Sequence, residues 1–190
     1  MNATPALRLS WHSLLSRPAA LTLSALLLAG CSMTCADDEA LDGYGAVASA
    51  VLEAKSGSQL SGWARFVERQ GGVAAIVHVE GAAPGWHAVH VHEHGDCSSE
   101  DGKSAGGHFN PGATEHGSPH APTHHAGDLG NMWVAEDGVG HHEIFMPELT
   151  VTGGAYSVVG RGLIVHAGAD DLVSQPTGAA GGRIGCGVIR

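Results

Sequence analysis

Basic residues are scarce. Nine Lys and Arg stand against nineteen Asp and Glu, a formal charge of −10 with His neutral. That excludes an extended nucleic-acid surface, which needs clustered cations. Cysteine is also sparse, at positions 31, 35, 97 and 186, and no two have CxxC spacing. A thiolate zinc finger or ribbon is therefore excluded. Leu-rich helical periodicity is missing from the body of the chain, there is no internal repeat, and no membrane span follows the first thirty residues. Glycine, at 29 residues, and histidine are what the chain has in excess. The first favours turns and short strands.

The amino-terminal residues do not read as fold. Arg8 and Arg17 make a basic start, and Ala19 to Ala29 is an apolar run too short to cross a membrane comfortably. Residues 1–30 therefore read as a signal peptide. The run ends in Leu28-Ala29-Gly30-Cys31, which resembles the lipobox of bacterial lipoproteins, where cleavage leaves a cysteine that carries lipid. The alternative is an ordinary signal peptide cut near Ala29 or Ala36. Either leader takes the product out of the cytoplasm. Loss of residues 1–30 removes two Arg and no acids, so the mature charge is −10 − 2 = −12. Residues 31–44 are small, polar and acidic and read as a flexible tether. Cys35 lies in it as an exposed thiol with no assigned role.

From residue 45 the pattern becomes β. Runs at Ala46–Ala54, Leu60–Glu68, Val73–Val79 and Trp86–Glu93 are separated by turns at roughly ten-residue spacing, the signature of an all-β sandwich or barrel. Strands resume at Met132–Ala135, Gly140–Phe145, Gly160–His166 and Ile184–Ile189, with Glu136-Asp137-Gly138 as a hairpin turn. Two stretches lack strand character: Cys97 to about Asn131, and Asp170 to Gly182. A structureless loop as long as the first needs something to order it. Its histidines are the candidates.

Of the fourteen histidines, His90, His92, His94, His108, His116, His120, His124 and His125 fall between 90 and 128. The segment closes on Asp128, and His166 follows in an apolar run. Imidazoles cannot be buried without partners, and neutral imidazole is the commonest side-chain metal ligand. The concentration predicts a site for more than one transition metal. His90 and His92, two apart on a strand, face one side of the sheet.

Several motifs, in order, resemble those of the copper-zinc superoxide dismutases. They are Gly85-Trp86-His87-Ala88-Val89-His90-Val91-His92-Glu93-His94-Gly95-Asp96, Gly107-His108-Phe109-Asn110-Pro111, His116-Gly117, and His125-Ala126-Gly127-Asp128-Leu129-Gly130-Asn131. Val165-His166, Asp170-Asp171-Leu172 and Gly182-Arg183-Ile184-Gly185-Cys186-Gly187-Val188-Ile189 complete the series. The resemblance covers about residues 45–190. It implies a Greek-key β-sandwich or flattened eight-stranded barrel with two long loops, an architecture for which this family is itself a known case.

Carried over by position, copper falls to His90, His92, His108 and His166, and zinc to His108, His116, His125 and Asp128. His108 then bridges both ions. The donor types agree, since imidazoles suit copper in either redox state and three imidazoles with one carboxylate suit zinc. Asp170 matches the carboxylate that links ring nitrogens of one copper and one zinc ligand, here His90 and His116. Cys97 and Cys186 match the family's disulfide, and Arg183 its active-site arginine, which orients superoxide beside copper. The implied reaction converts superoxide to dioxygen and hydrogen peroxide by alternate reduction and oxidation of copper, with His108 supplying a proton. The implied setting is a bacterial cell envelope, periplasmic or surface, with membrane contact only through a lipid on Cys31.

The chain also departs from the family. His94 stands where eukaryotic relatives carry Phe. The Asp170–Arg183 segment is about six residues shorter and lacks their Glu pair and steering Lys. Pro176 occupies that Lys position, while Thr177 matches. Long-range guidance of the substrate is then weaker or falls to another residue such as Lys103. His78, His87, His94, His120, His124, His141, His142 and His12 match no ligand position and read as surface or outer residues. The dimer-forming segments do not match clearly, so a homodimer is left open. The rival class is a non-enzymatic copper or zinc carrier on the same scaffold, which nothing in the sequence specially favours.

Overall fold

The computed structural model describes residues 45–190. The leader, Cys31 and the whole of the 31–44 tether lie outside the described residues. Eight strands carry the described chain: β1 (Val47–Ala54), β2 (Ser61–Arg69), β3 (Gly72–Glu80), β4 (Gly85–His92), β5 (Asp128–Val134), β6 (Gly140–Met146), β7 (Gly162–His166) and β8 (Arg183–Val188). They close into one antiparallel barrel in the order β1-β2-β3-β6-β5-β4-β7-β8. The crossings between β3 and β4 and between β6 and β7 make the expected Greek keys. A single 3-10 turn, Lys103–Ala105, is the helical element among the described residues.

Strand parity builds the core. In β1, Ala48, Ala50 and Leu52 are buried while Val47, Ser49, Val51 and Glu53 face out. The inward set of the other strands includes Phe66, Val77, Met132, Met146 and Leu163, all fully buried. β4 breaks the half-buried rule, because His87 through His92 are buried without interruption. Val89 and Val91 join the barrel core, and the opposite face, with His90 and His92, is covered by the two long loops.

The largest boundary difference from the sequence reading is at β5. β5 begins at Asp128, not at Met132. Asp, Gly and Asn are poor strand formers, but β4 supplies a partner: His90 pairs with Asp128 and Ala88 with Asn131, across a bulge. The strand is imposed by its neighbour.

The 93–127 loop is held by more than its histidines. Phe109 is buried in the barrel core together with Ala126, and the Arg161 guanidinium covers the Phe109 ring at 4.3 Å. Main-chain bonds tie the loop to β4, Phe109 N to Val91 O at 2.8 Å and Val91 N to Gly127 O at 2.9 Å, and Gly127 N to Phe109 O at 2.9 Å closes the loop on itself. Gly127 permits this approach, since a Cβ there would overlap Val91 O and lie 3.0 Å from Phe109 N. His108 bridges directly to His92.

The Cys97–Cys186 disulfide is formed, with Cα atoms 5.8 Å apart across a sequence separation of 89. It pins the start of the same loop to β8. A closed loop of that length is worth about 4–5 kcal/mol in the chain-entropy view. Urea denaturation of the Cys97→Ser/Cys186→Ser protein is expected to show a stability loss of about that size. A loss under about 1 kcal/mol would mean the bridge constrains nothing the barrel does not already fix.

Candidate metal centre

β4 and β7 deliver the first set of side chains. His90 and His92 project from β4 on one face, His166 stands at the end of the adjacent β7, and His108 reaches in from the loop. The four are buried and offer ligand atoms within 4.8 Å of one another. A second buried set has the same spacing: His108, His116, His125 and Asp128. His108 belongs to both. Its Nδ1 lies 2.8 Å from Asp128 Oδ1 and 3.3 Å from His125 Nδ1, and its Nε2 has no partner.

The hydrogen bonds around the rings decide which nitrogens are free. His90 Nε2 donates to Asp170 Oδ2 at 2.8 Å, and His92 Nδ1 to Gly106 O at 3.0 Å. His166 Nδ1 donates to Gly181 O at 3.3 Å, and His116 Nε2 to Asp170 Oδ1 at 2.9 Å. In a neutral ring the other nitrogen is then a bare acceptor. His90 Nδ1, His92 Nε2, His108 Nε2, His116 Nδ1 and His166 Nε2 are all buried and unpartnered. Buried acceptors without donors cost free energy, and here they converge. His116 Nδ1 lies 3.0 Å from Asp128 Oδ2. Lone pairs facing each other at such distances fit cations between them, so the residues present suit one ion in each cluster. The all-imidazole set suits copper and the set with a carboxylate suits zinc.

Electrostatics keep most of these rings neutral. Burial, reinforced by neighbouring imidazoles, lowers the pKa of His90 to about 4, of His166 to about 3 and of His92 to about 2. Burial also lowers His125. His116 goes the other way: burial opposes its charge, but Asp170 and Asp128 outweigh it and raise the pKa. Burial works against both carboxylates too. His108 and the His125 amide hold Asp128 well below the usual range, and His90 and His116 do so for Asp170.

Asp170 spans the two clusters. Asn131 clamps its backbone, accepting from Asp170 N at 2.7 Å and donating to Asp170 O at 2.9 Å. Arg183, partly buried at the start of β8, donates from Nη1 to Gly102 O at 2.8 Å and from Nη2 to Gly106 O at 2.7 Å. Gly106 O is also the acceptor for His92, so the guanidinium sits beside the first cluster. Lys103 is exposed and ion-paired with Asp101 at 2.8 Å, which reduces its value as a free guiding charge.

The remaining histidines separate clearly. His124 is adjacent to His125 but outside the cluster; its Nδ1 bonds His125 O at 2.8 Å. His78, His94, His120 and His141 do not enter either cluster. His142 bonds Leu129 O at 2.8 Å. His87 is buried, with ring nitrogens 2.7 Å from the carbonyls of His166 and Ala83. It therefore supports the backbone of a cluster residue. Its parity with Val89 and Val91 was the sequence signal for an inward position.

An eight-stranded Greek-key barrel carrying two buried, imidazole-linked metal-type clusters defines a dinuclear metalloprotein. Sequence and structure comparisons narrow this. A sequence model described as "Copper/zinc superoxide dismutase (SODC)" matches residues 60–189. A protein named "Superoxide dismutase [Cu-Zn]", from Caulobacter vibrioides, is 39% identical over 149 residues, covering 75% of this chain and 85% of that one. The crystal structure of the clock protein EA4 shares 35% identity at a TM-score of 0.69, covering 75% of this chain and 92% of that chain. The chain belongs to the copper/zinc superoxide dismutase family.

The pKa shifts give the metal-free protein a pH signature. His90, His92 and His166 sit below their unfolded value of 6.5, so the unfolded chain binds more protons between 6.5 and those values. The contribution of these three rings is full above pH 6.5 and falls as pH drops toward about 4 and below, while His116, raised, acts in the opposite sense. Melting of chelator-treated protein is expected to be lower at pH 4.5 than at pH 7.5, with most of the fall below 6.5. A flat profile across this window would mean that the rings are not held neutral.

Proposed function

We propose that the two clusters are the copper and zinc sites of a superoxide dismutase. His90, His92, His108 and His166 hold copper; His108, His116, His125 and Asp128 hold zinc. The observation that carries this is the set of inward, unpartnered ring nitrogens around a shared His108. Two superoxide anions and two protons become one dioxygen and one hydrogen peroxide. When bound, copper supplies the one-electron couple for both halves, and zinc supplies a fixed charge without redox chemistry.

The chain's own residues supply the rest. Arg183 binds and orients the anion, because two of its five N–H donors are spent on fixed carbonyls and the others remain. His108 holds a proton at Nε2 in one half of the cycle and gives it up in the other, and water supplies the second proton. Asp170 keeps the rings of His90 and His116 in the required tautomer. His87 fixes the backbone that carries His166.

The reading extends to location. Residues 1–30 act as a lipoprotein signal, residues 31–44 as a tether, and Cys31 as the lipid-bearing residue. This places the enzyme in a bacterial envelope, periplasmic or surface-facing. The lipobox-like Leu28-Ala29-Gly30-Cys31 supports it, and several acyl chains give stable anchoring where one does not. A homodimer is the remaining part, supported by Trp86 and Trp133, which pack edge to face at 5.2 Å while about half exposed.

Mature protein is expected to contain about one copper and one zinc per chain and to suppress superoxide-dependent cytochrome c reduction. His166→Ala should abolish activity and leave zinc bound; unchanged activity would sink the copper assignment. Arg183→Ala should keep both metals while kcat/KM falls roughly 10- to 100-fold, the scale of a hydrogen bond to a charged group. Native mass spectrometry of the membrane fraction is expected to find lipid on Cys31 and a mass of two chains. An unlipidated product cut near Ala36, or a monomer, would remove that part of the reading.

A further inference from the structure

The segment between β7 and β8 is short, yet it folds on itself. Val173 N and Ser174 N donate to Asp171 Oδ1 at 3.0 and 2.8 Å. Gly178 N donates to Ser174 O at 2.7 Å, and Asp171 N to Gly178 O at 2.9 Å. Gln175 extends from this turn to the other loop. Its Oε1 accepts from His116 N at 2.9 Å, and its Nε2 donates to His116 O at 2.9 Å. Both bonds go to one residue 59 positions earlier.

A carboxamide docked this way copies one rung of a β-ladder. It fixes the His116 backbone on both sides of Cα, and Asp170 Oδ1 fixes the ring at Nε2. With backbone and ring both held, Nδ1 has one direction left, toward Asp128 Oδ2 at 3.0 Å. Gly178 shows how tightly the turn is seated. It has φ +67°, and a Cβ there would overlap the Asp170 carboxylate and lie 2.7 Å from His116 Nε2. Among the described residues, Gln175 supplies both hydrogen bonds of the His116 main chain.

We propose that Gln175 is a positioning residue for the zinc cluster. It touches no metal. By holding the His116 main chain it keeps Nδ1 aimed into the cluster and slows the release of zinc. This rests on the zinc reading of that cluster. A short loop can do this because one carboxamide supplies both the donor and the acceptor that the His116 backbone lacks.

Gln175→Met keeps chain length and removes both amide bonds, and Gln175→Ala removes the side chain. Three measurements on the full, metallated protein and its derivatives test the idea: zinc transfer to a chromogenic chelator, the visible spectrum with cobalt in the zinc cluster, and melting with and without metal. Both variants are expected to release zinc about tenfold faster, the scale for losing an outer partner of a metal ligand. Their cobalt bands should shift, with metal-free melting unchanged. Wild-type release and an unshifted spectrum in both variants would overturn the proposal. So would equal drops in melting with and without metal at an unchanged release rate, which would make Gln175 merely structural. A parent protein that holds no zinc would instead overturn the zinc reading, and this proposal with it.

Discussion

The outward-facing nitrogens of His90, His92, His116 and His166 are each tied to an oxygen fixed by the fold. That constraint decides what faces inward. A neutral ring that donates on one side can only accept on the other, so the hydrogen bonds outside the clusters create the lone pairs inside them. Five buried acceptors are left without donors, at about 1–3 kcal/mol each. Cations in the clusters would offset that cost, which makes metal binding a contribution to folding free energy as well as to chemistry.

The barrel is what lets the chain carry such a cost before metal arrives. Its core, the Phe109 plug and the Cys97–Cys186 bridge hold the 93–127 loop through contacts that need no ion. Asp170 then joins the clusters mechanically. Oδ2 holds the His90 ring and Oδ1 the His116 ring, so a shift at one side must be felt at the other. His108 makes the same connection through its two nitrogens. The clusters are therefore coupled twice, once through a shared ring and once through a shared counter-charge.

Much of this was legible in the chain. Period-2 alternation gave the strands, and Ala48, Ala50 and Leu52 are inward as the pattern requires. The HxH pair and the later histidines come together in two buried groups that share His108. The start of β5 was illegible because Asp128-Leu129-Gly130-Asn131 has no strand composition; its pairing partner lies some forty residues earlier in β4. Histidines and the disulfide were the legible ties of the 93–127 loop, and the Phe109 contact was not, since one Phe among Gly and Pro does not announce a core residue. The carboxamide clamps of Asn131 and Gln175 have no periodic signature, and each partner is distant in sequence.

The electrostatics follow from depth. A chain of formal charge −10 repels an anion at long range, yet exposed charges are screened beyond about 8 Å at physiological salt. Lys103, the candidate for distant guidance, has Asp101 at 2.8 Å and so offers little net field. Arg183 is different: it is partly buried, its orientation is set by two carbonyls, and it shares Gly106 O with His92. Its charge acts where screening is weak and where bound cations would add to it. An anion reaching the rim of the first cluster would meet that charge at short range. The acidic surface bears on solubility more than on recognition.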